Sequence, residues 1–385
     1  MFLRIGVFKT YCFINFLMDN LHGRKYTKVL EKNLFDITWS PTRFKIAETC
    51  ERQYYYNYLT YPKPIAPIFP DMAFGIFTHI MFEKFFRPFD YKDPEKAGKP
   101  KYKSAKTFTN AFFGEWKRRI HAPKKEGGFG PVRWKDKDEP YSRWGTIIRD
   151  LGPTIYERYV KEGPALFVEL TLPVLLIDGI KLFVKMDEIR SKLIVRDHKT
   201  RAHEISDVVL RYDVQSTVYN GAVSFWSAEN NEFGRKIGAD EDDLARLKED
   251  PLHLYRKITF QHHYLQTGYV KEGEKRIIKI IDAPKKDDAQ FINFENSAIK
   301  IEDRLRTGEF LPNYGNHCDR CIFKERCDDD SRKNIATYIP QQLEFFRQAK
   351  KIAPVRERTV GQMKFKFPDS EKVKKEVEKQ LEMFR

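Results

Sequence analysis

The sequence predicts an α/β fold, a small mixed sheet with helices around it. At Leu166 the hydrophobic period changes from helical to strand-like, over 167–172, 181–189 and 192–199. Helical patterns flank that stretch, over 143–161 before it and 208–228 after it. The third observation is Cys50 together with a C-x2-C-x5-C run, Cys318, Cys321 and Cys327. These positions read as one metal site that joins the two ends of the core.

Taken in order, residues 1–36 form a variable lead-in. Residues 5–18 are apolar but interrupted by Lys9, Thr10 and Asn15, with no small-residue cleavage site after them, so they make a poor signal peptide. Met18 offers a second candidate start. A short strand at 37–39 runs into a helix, with Ser40 as N-cap and Pro41 in the first turn. That helix is expected to carry Phe44, Ile46, Cys50 and the tyrosines 54, 55, 56 and 58, ending in a loop with Pro62, Pro64, Pro67 and Pro70. Apolar residues nearly encircle the next helix, 72–86, which predicts burial. A lysine-rich flexible connection (87–104), a helix (105–120) and a Gly/Pro loop (123–131) follow. A turn at Arg190-Ser191 makes the segments 181–189 and 192–199 a hairpin. Residues 229–250 are charged, with Asp240, Glu241, Asp242 and Asp243 on a solvated helix face. Strands at 258–265 and 275–281 and a helix at 286–307 lead into the cysteines. A basic extension, 331–385, closes the chain.

The chain has 385 residues, 41% hydrophobic, and a net charge of +15, an excess that favours a polyanionic partner. Lys117-Arg118-Arg119 and Lys124-Lys125, with Trp116 and Trp134 nearby, suit a single strand, whose bases stack on rings while phosphates meet cations. Five cysteines are too few for a disulfide scaffold in a chain of this length, and the clustered three point to a metal site in a reducing cytoplasm. Cys12 reads as a small buried hydrophobe. No segment reaches membrane length. No G-x-x-x-x-G-K-[ST] is present, so no ATP motor is recognisable.

Asp197 and Lys199 are two apart on a strand and share one face, which Asp187 reaches from the partner strand. Two converging carboxylates make an oxygen-rich pocket for Mg2+ or Mn2+. A lysine beside them can orient a water or steady developing charge. Gln215 and Tyr219, at i,i+4, share a helical face. Three clustered thiolates plus a remote one suit either zinc or a [4Fe–4S] cluster.

In this order the residues resemble the PD-(D/E)xK nucleases, in the RecB-like branch that bears an iron–sulphur cluster, which includes the AddB nuclease domain and the CRISPR-adaptation nucleases. The resemblance covers residues 37–330. It rests on the Ser40 entry with Cys50, on Gly75-x-x-x-His79, on Asp187 with Asp197-His198-Lys199, on Gln215-x-x-x-Tyr219, and on the cysteine triplet. It implies a restriction-endonuclease-like core with a helical insertion at about 87–161 and an iron–sulphur staple. It implies that His79, Asp187 and Asp197 hold Mg2+ or Mn2+, with the backbone carbonyl of His198 a further ligand. Lys199 then serves the attacking water, and Gln215 and Tyr219 hold the lysine or the DNA. It also favours [4Fe–4S] over zinc at Cys50, Cys318, Cys321 and Cys327, and an acidic role for Glu169. Val184 departs from the family, which usually has glycine three residues before the first aspartate.

The expected function is metal-dependent hydrolysis of DNA at ends or in single strands, in repair, recombination, or phage or CRISPR DNA processing. The alternatives are a catalytically degenerate DNA-binding subunit beside a helicase or recombination protein, and a zinc-stapled nucleic-acid-binding protein. The expected location is a reducing cytoplasm, bacterial or phage-infected.

Overall fold

The structure, a computed structural model, describes residues 37–59, 68–86, 102–122, 126–177, 180–271, 273–307 and 310–332. The lead-in with Cys12, the prolines 62, 64 and 67, most of the 87–104 connection, Lys124 and Lys125 lie outside them, as does all but the start of the C-terminal extension. Along the chain run β1 (Thr38–Trp39), α1 (Pro41–Thr49), α2 (Pro70–Phe86), α3 (Ala105–His121), α4 (Gly145–Glu162), β2 (Phe167–Thr171), β3 (Leu175–Ile177) and β4 (Ile180–Leu182). There follow β5 (Lys185–Arg190), β6 (Ile194–Arg201), α5 (Val214–Glu229), β7 (Thr259–Gln266), β8 (Ile278–Asp282), α6 (Asp288–Thr307) and α7 (Lys324–Arg332). They fall into two compact units. One takes the described residues of 1–65, 176–182 and 292–366, the other those of 66–175 and 183–291. No helix among the described residues is long and apolar enough to cross a membrane.

The larger unit is built on a five-stranded sheet in the order β2-β5-β6-β7-β8. All pairs are antiparallel except β6 with β7. The β6–β7 ladder is long, from Ile194↔Thr259 to Arg201↔Gln266. The β5–β6 ladder is short, from Arg190↔Ile194 to Glu188↔Arg196. Beyond Glu188, β5 stays with β2 while β6 stays with β7, so the sheet forks there. The hairpin turn lies at 191–193, just past the expected dipeptide, with Lys192 and Leu193 at φ 63° and 56°.

The helices α2, α3 and α4 of this unit share an aromatic core that includes Phe74, Phe77, Phe85, Phe108, Phe112, Trp116 and Trp144. Phe77 stacks on Phe112 with ring centroids 4.9 Å apart. Contrary to expectation, α2 is not buried all round: Met72 and Ile76 are exposed. The Ser104 hydroxyl caps α3 reciprocally with Thr107, which fixes where the helix begins. Within the expected basic and aromatic strand-binding region, Trp116 departs from expectation. Trp116 is buried and donates its indole N–H to the Pro140 carbonyl at 2.8 Å, so it offers no face to a base. Arg118 and Arg119 are both bonded to Glu115, which offsets part of their charge.

Three other elements depart from the sequence reading. The segment 181–189 is two strands, β4 and β5, in different sheets, separated at Phe183 and Val184. The 208–228 helix is a short turn, Asp207–Arg211, followed by α5, which restarts because the Asp213 carboxylate accepts the Ser216 N–H at 3.1 Å. The acidic run is partly internal: Asp243 is buried and pairs with His253 and Lys257.

In the smaller unit β1 pairs in parallel with β4, in the sheet order β1-β4-β3. Ser40 caps α1 as expected, accepting the Arg43 N–H at 3.3 Å. The helix does not run on through the tyrosines. It stops at Cys50, whose backbone is extended (φ −161°, ψ 110°), and resumes as Glu51–Tyr54 and one π-helical turn, Tyr55–Leu59. Trp39 is buried and donates to Glu302, and Phe44 packs edge-on against Phe294.

Candidate active site

The site lies in the larger unit where its sheet forks. Carrying the β5–β6 register one step past Glu188↔Arg196 sets Asp187 opposite Asp197. The Asp187 carboxylate fills the opening, its Oδ2 accepting the His198 N–H at 2.8 Å in place of a strand partner. Asp197, also buried, is held from two sides. Lys199 Nζ is 2.6 Å from its Oδ2, and Gln215 Nε2 donates to its Oδ1 at 2.5 Å. Lys199 also donates to Gln215 Oε1 at 2.7 Å, which closes a ring of three side chains. Gln215 Nε2 reaches Tyr219 Oη at 3.0 Å, and that hydroxyl donates to the Lys185 carbonyl at 2.7 Å. The i,i+2 spacing on β6 and the i,i+4 spacing on α5 are what bring these groups together.

His79 enters from α2, with Nδ1 3.2 Å from Asp187 Oδ1 and 3.8 Å from Glu169 Oε1. Gly75 stands one turn earlier, where a Cβ would lie 3.2 Å from Thr200 Oγ1. The missing side chain lets the helix come close to β6 and carry His79 to the carboxylates. Among the described residues, the only three potential ligands whose atoms lie within 4.8 Å of one another are His79, Glu169 and Asp187. Asp197, expected as a ligand, is outside this tight group and bonded to Lys199. What His198 brings to the fork is its main chain. Its imidazole lies on the reverse face of the sheet, Nδ1 3.0 Å from His263 Nδ1.

Glu169 is held in a costly conformation. The β2–β5 register passes from Val168↔Glu188 to Leu170↔Met186, so Glu169 and Asp187 face each other between those pairs. Glu169 has φ 53°, left-handed backbone at a residue other than glycine. Such backbone costs roughly 1–2 kcal/mol and like charges directly opposite add to it, which marks strained positions as candidate functional ones. Lys185 Nζ sits 2.5 Å from the other carboxylate oxygen of Glu169.

The charges at the fork are arranged unevenly. Burial disfavours ionised His79, but the Asp187 and Glu169 carboxylates outweigh it and raise its pKa to about 10. Burial, then the negative charge of Asp197, pushes Asp187 up. Burial acts on Asp197 too, yet Lys199 and His262 hold it below the usual carboxylate range. Lys199 is raised despite its burial, chiefly by Asp197, so it keeps its proton.

His262 was not singled out from the sequence. It is buried, with Nδ1 3.5 Å from Asp197 Oδ2 and Nε2 3.7 Å from Asp213 Oδ2, the capping residue of α5. It therefore links β6 to the helix that carries Gln215. The signal was the pair His262-His263 in a strand, one residue for each face. Val184 is buried in the bend before β5, its carbonyl accepting the Leu172 N–H at 3.0 Å.

In the smaller unit the extended backbone at Cys50 ends α1. Cys50 Sγ accepts the Asn313 N–H at 3.5 Å, and Cys327 Sγ accepts from Arg52 at 3.8 Å. Burial raises the Cys321 thiol, and Cys50, Cys318 and Cys327 each add to the rise, so the four predicted cysteines share one neighbourhood. Stacked Tyr55 and Phe310 and the Tyr56–Phe323 pair, from the same segments, pack beside them.

The family profile of the PD-(D/E)XK nuclease superfamily matches residues 38–328. No curated protein matches the chain. Among solved structures it is similar to a protein from Eubacterium rectale that is described provisionally as an exonuclease. The two are 16% identical with a TM-score of 0.37, over 76% of this chain and 89% of that one. At that TM-score the likeness supports nothing further.

Proposed function

Because this chain belongs to the PD-(D/E)XK nuclease superfamily, we propose that it is a metal-dependent deoxyribonuclease acting at DNA ends or on single strands. The fork carries the reading: three carboxylates and an imidazole converge beside a lysine that is locked in place. His79, Glu169 and Asp187 would hold Mg2+ or Mn2+, with Asp197 adjoining them across the opening. One nitrogen and several carboxylate oxygens suit such hard ions. When bound, the ion lowers the pKa of a water and neutralises phosphate charge.

The protein's own groups divide the remaining work. Lys199 keeps its ammonium charge, since Asp197 raises its pKa, and so acts as a fixed cation toward the attacking water and the phosphate oxygens. Gln215 orients Lys199 and Asp197 together and is itself anchored through Tyr219 to β5. His262 braces Asp197 from behind.

The test is digestion of end-labelled DNA by Asp197→Ala and Lys199→Ala proteins. Both should lose roughly 100-fold or more in rate. If both digest DNA as the parent does, the reading is wrong. A parent that binds DNA without cutting it in Mg2+ or Mn2+ replaces it with a DNA-binding subunit, the reading for which Val184 leaves room.

The cysteine site supports placement in the iron–sulphur branch. Cys50, Cys318, Cys321 and Cys327 share one neighbourhood, and four such thiolates would hold a [4Fe–4S] cluster that closes a long stretch of chain. Anaerobically purified protein should be brown, and Cys321→Ser protein should lose its iron. A colourless parent with one zinc per chain would overturn this assignment.

A further inference from the structure

The turn between β6 and α5 has a property that the proposed chemistry does not use. The short helix Asp207–Arg211 exposes three large side chains together: Val208 is 68% exposed, Val209 51% and the next residue, Tyr212, 70%. Apolar groups exposed side by side beside a site mark a contact surface more often than chance does.

This turn is held rigidly from beneath. Lys286 is buried, and its ammonium donates to the Arg211 carbonyl at 2.6 Å and the Leu210 carbonyl at 3.3 Å. Gln290 donates to the Arg211 carbonyl as well, at 2.8 Å. Burying a lysine is costly, and its burial here lowers its pKa. The ammonium closes the C-terminal end of the helix, where a positive charge is favoured. The cost is borne to fix the direction in which an exposed turn presents its side chains.

The turn also adjoins the fork. Tyr212 immediately precedes Asp213, which caps α5 and faces His262, and Gln215 lies three residues on. Arg201 and Arg211 are exposed in the same stretch, as are the carboxylates Glu204, which pairs with Lys279, and Asp207, so charge alone does not decide what meets this face. An exposed aromatic ring flanked by aliphatic side chains, next in sequence to a cap of the helix that carries Gln215, matches the flat apolar face of a nucleic-acid base.

We propose that Val208, Val209 and Tyr212 form a rigid platform on which a base of the incoming strand stacks, setting the register of its backbone at the fork. This rests on the nuclease reading above and adds to it a positioning surface for the bases.

The experiment uses the full-length protein and a single-stranded oligonucleotide carrying 2-aminopurine near one end. Ca2+ replaces Mg2+, and a gel checks that the strand stays intact. Tyr212→Ala should weaken binding by about 5- to 100-fold, the range of one lost base–aromatic stack. It should also relieve quenching of the 2-aminopurine. Tyr212→Phe should keep both affinity and quenching, since the ring and not the hydroxyl does the stacking. Tyr212 is exposed, so neither variant should shift the unfolding midpoint. If the parent binds and digests DNA and Tyr212→Ala matches it in affinity and quenching, the platform is overturned while the nuclease reading stands. If the parent neither binds nor cuts, both fall. If the parent self-associates, and Tyr212→Ala makes it monomeric with DNA affinity unchanged, the face joins copies of the chain and the platform is likewise overturned.

Discussion

The two faces of the β5–β6 hairpin handle buried charge in opposite ways. On the reverse face Glu188 is fully buried and bonded to Arg190, with Arg196 3.5 Å away. Arg196 also pairs with Glu162 at 2.7 Å. Two carboxylates meet two guanidiniums, and burial holds His198 and His263 neutral between them. On the fork face Glu169, Asp187 and Asp197 converge, and Glu169 and Asp187 stand directly opposed. There the balance is completed by a proton on His79, a group that is ordinarily neutral above pH 6.5. One face is closed on itself. The other is held together by a proton that the proposed divalent ion would displace.

The sharpest way to break this contrast is to remove one carboxylate from each face. Glu188→Ala leaves the buried Arg190 and Arg196 with Glu162 as their one shared carboxylate, and should cost about 3–5 kcal/mol in denaturant unfolding. The metal affinity of the molecules that remain folded should not change. Asp187→Asn should leave the metal-free protein as stable as the parent or more so, because it ends a like-charge opposition, and should abolish metal binding. Equal stability losses from the two variants would show that both faces are structural.

The next largest effect is on pH dependence. Folding raises the pKa of His79 from 6.5 to about 10. Its charged form therefore stabilises the metal-free fold fully below pH 6.5, and that contribution disappears as pH rises through 10. A metal needs the neutral imidazole, so binding must expel the proton. Affinity for Mn2+ should rise about tenfold per pH unit between 7 and 9. Calorimetry at pH 8 in buffers of different ionisation enthalpy should count about one proton released. Release of none would remove His79 from the ligand set.

How much of this was legible in the sequence follows from the range of each contact. Asp197 and Lys199 are related by the strand period and a hairpin brings in Asp187, so these are legible from local pattern, whereas His79, Gln215 and Tyr219 are legible through the family resemblance. His262 reaches Asp197 only through the parallel β6–β7 register, which a crossover of more than fifty residues sets. No local pattern carries that. Glu169, singled out by the resemblance, faces Asp187 through the β2–β5 register, but alternation along a strand does not predict its left-handed backbone. At Cys50 the tyrosine ladder reads as one helix, while the chain breaks there and sets Cys50 near the C-terminal cysteines. Around Trp116 the basic and aromatic composition was real, but composition does not distinguish a buried indole from an exposed one.

Glu169 provides a smaller test of the same contrast. If the fork keeps its strain for the sake of an ion, relieving the strain should stabilise the empty protein and weaken the loaded one. Glu169→Gly removes both the left-handed penalty and the opposition to Asp187. The unfolding free energy without metal should rise by about 1 kcal/mol, while Mn2+ affinity should fall at least about tenfold. A variant that is less stable without metal would show that Glu169 serves the fold through Lys185.

The smallest effect belongs to Lys185 itself. Its ammonium holds one oxygen of Glu169, yet half of the side chain is exposed, so solvent screens the pair. It competes with any ion for that carboxylate, and its charge repels a cation. Lys185→Ala should therefore bind Mn2+ more tightly, by about two- to fivefold, with stability changed by less than about 1 kcal/mol. The gain should shrink as salt is added, because the repulsion acts through water. Weaker binding would mean that Lys185 orients Glu169 toward the ion and is a support of the open face. The same measurement on Arg196→Ala, from the closed face, should reverse the pattern, with a large stability loss and no change in Mn2+ affinity.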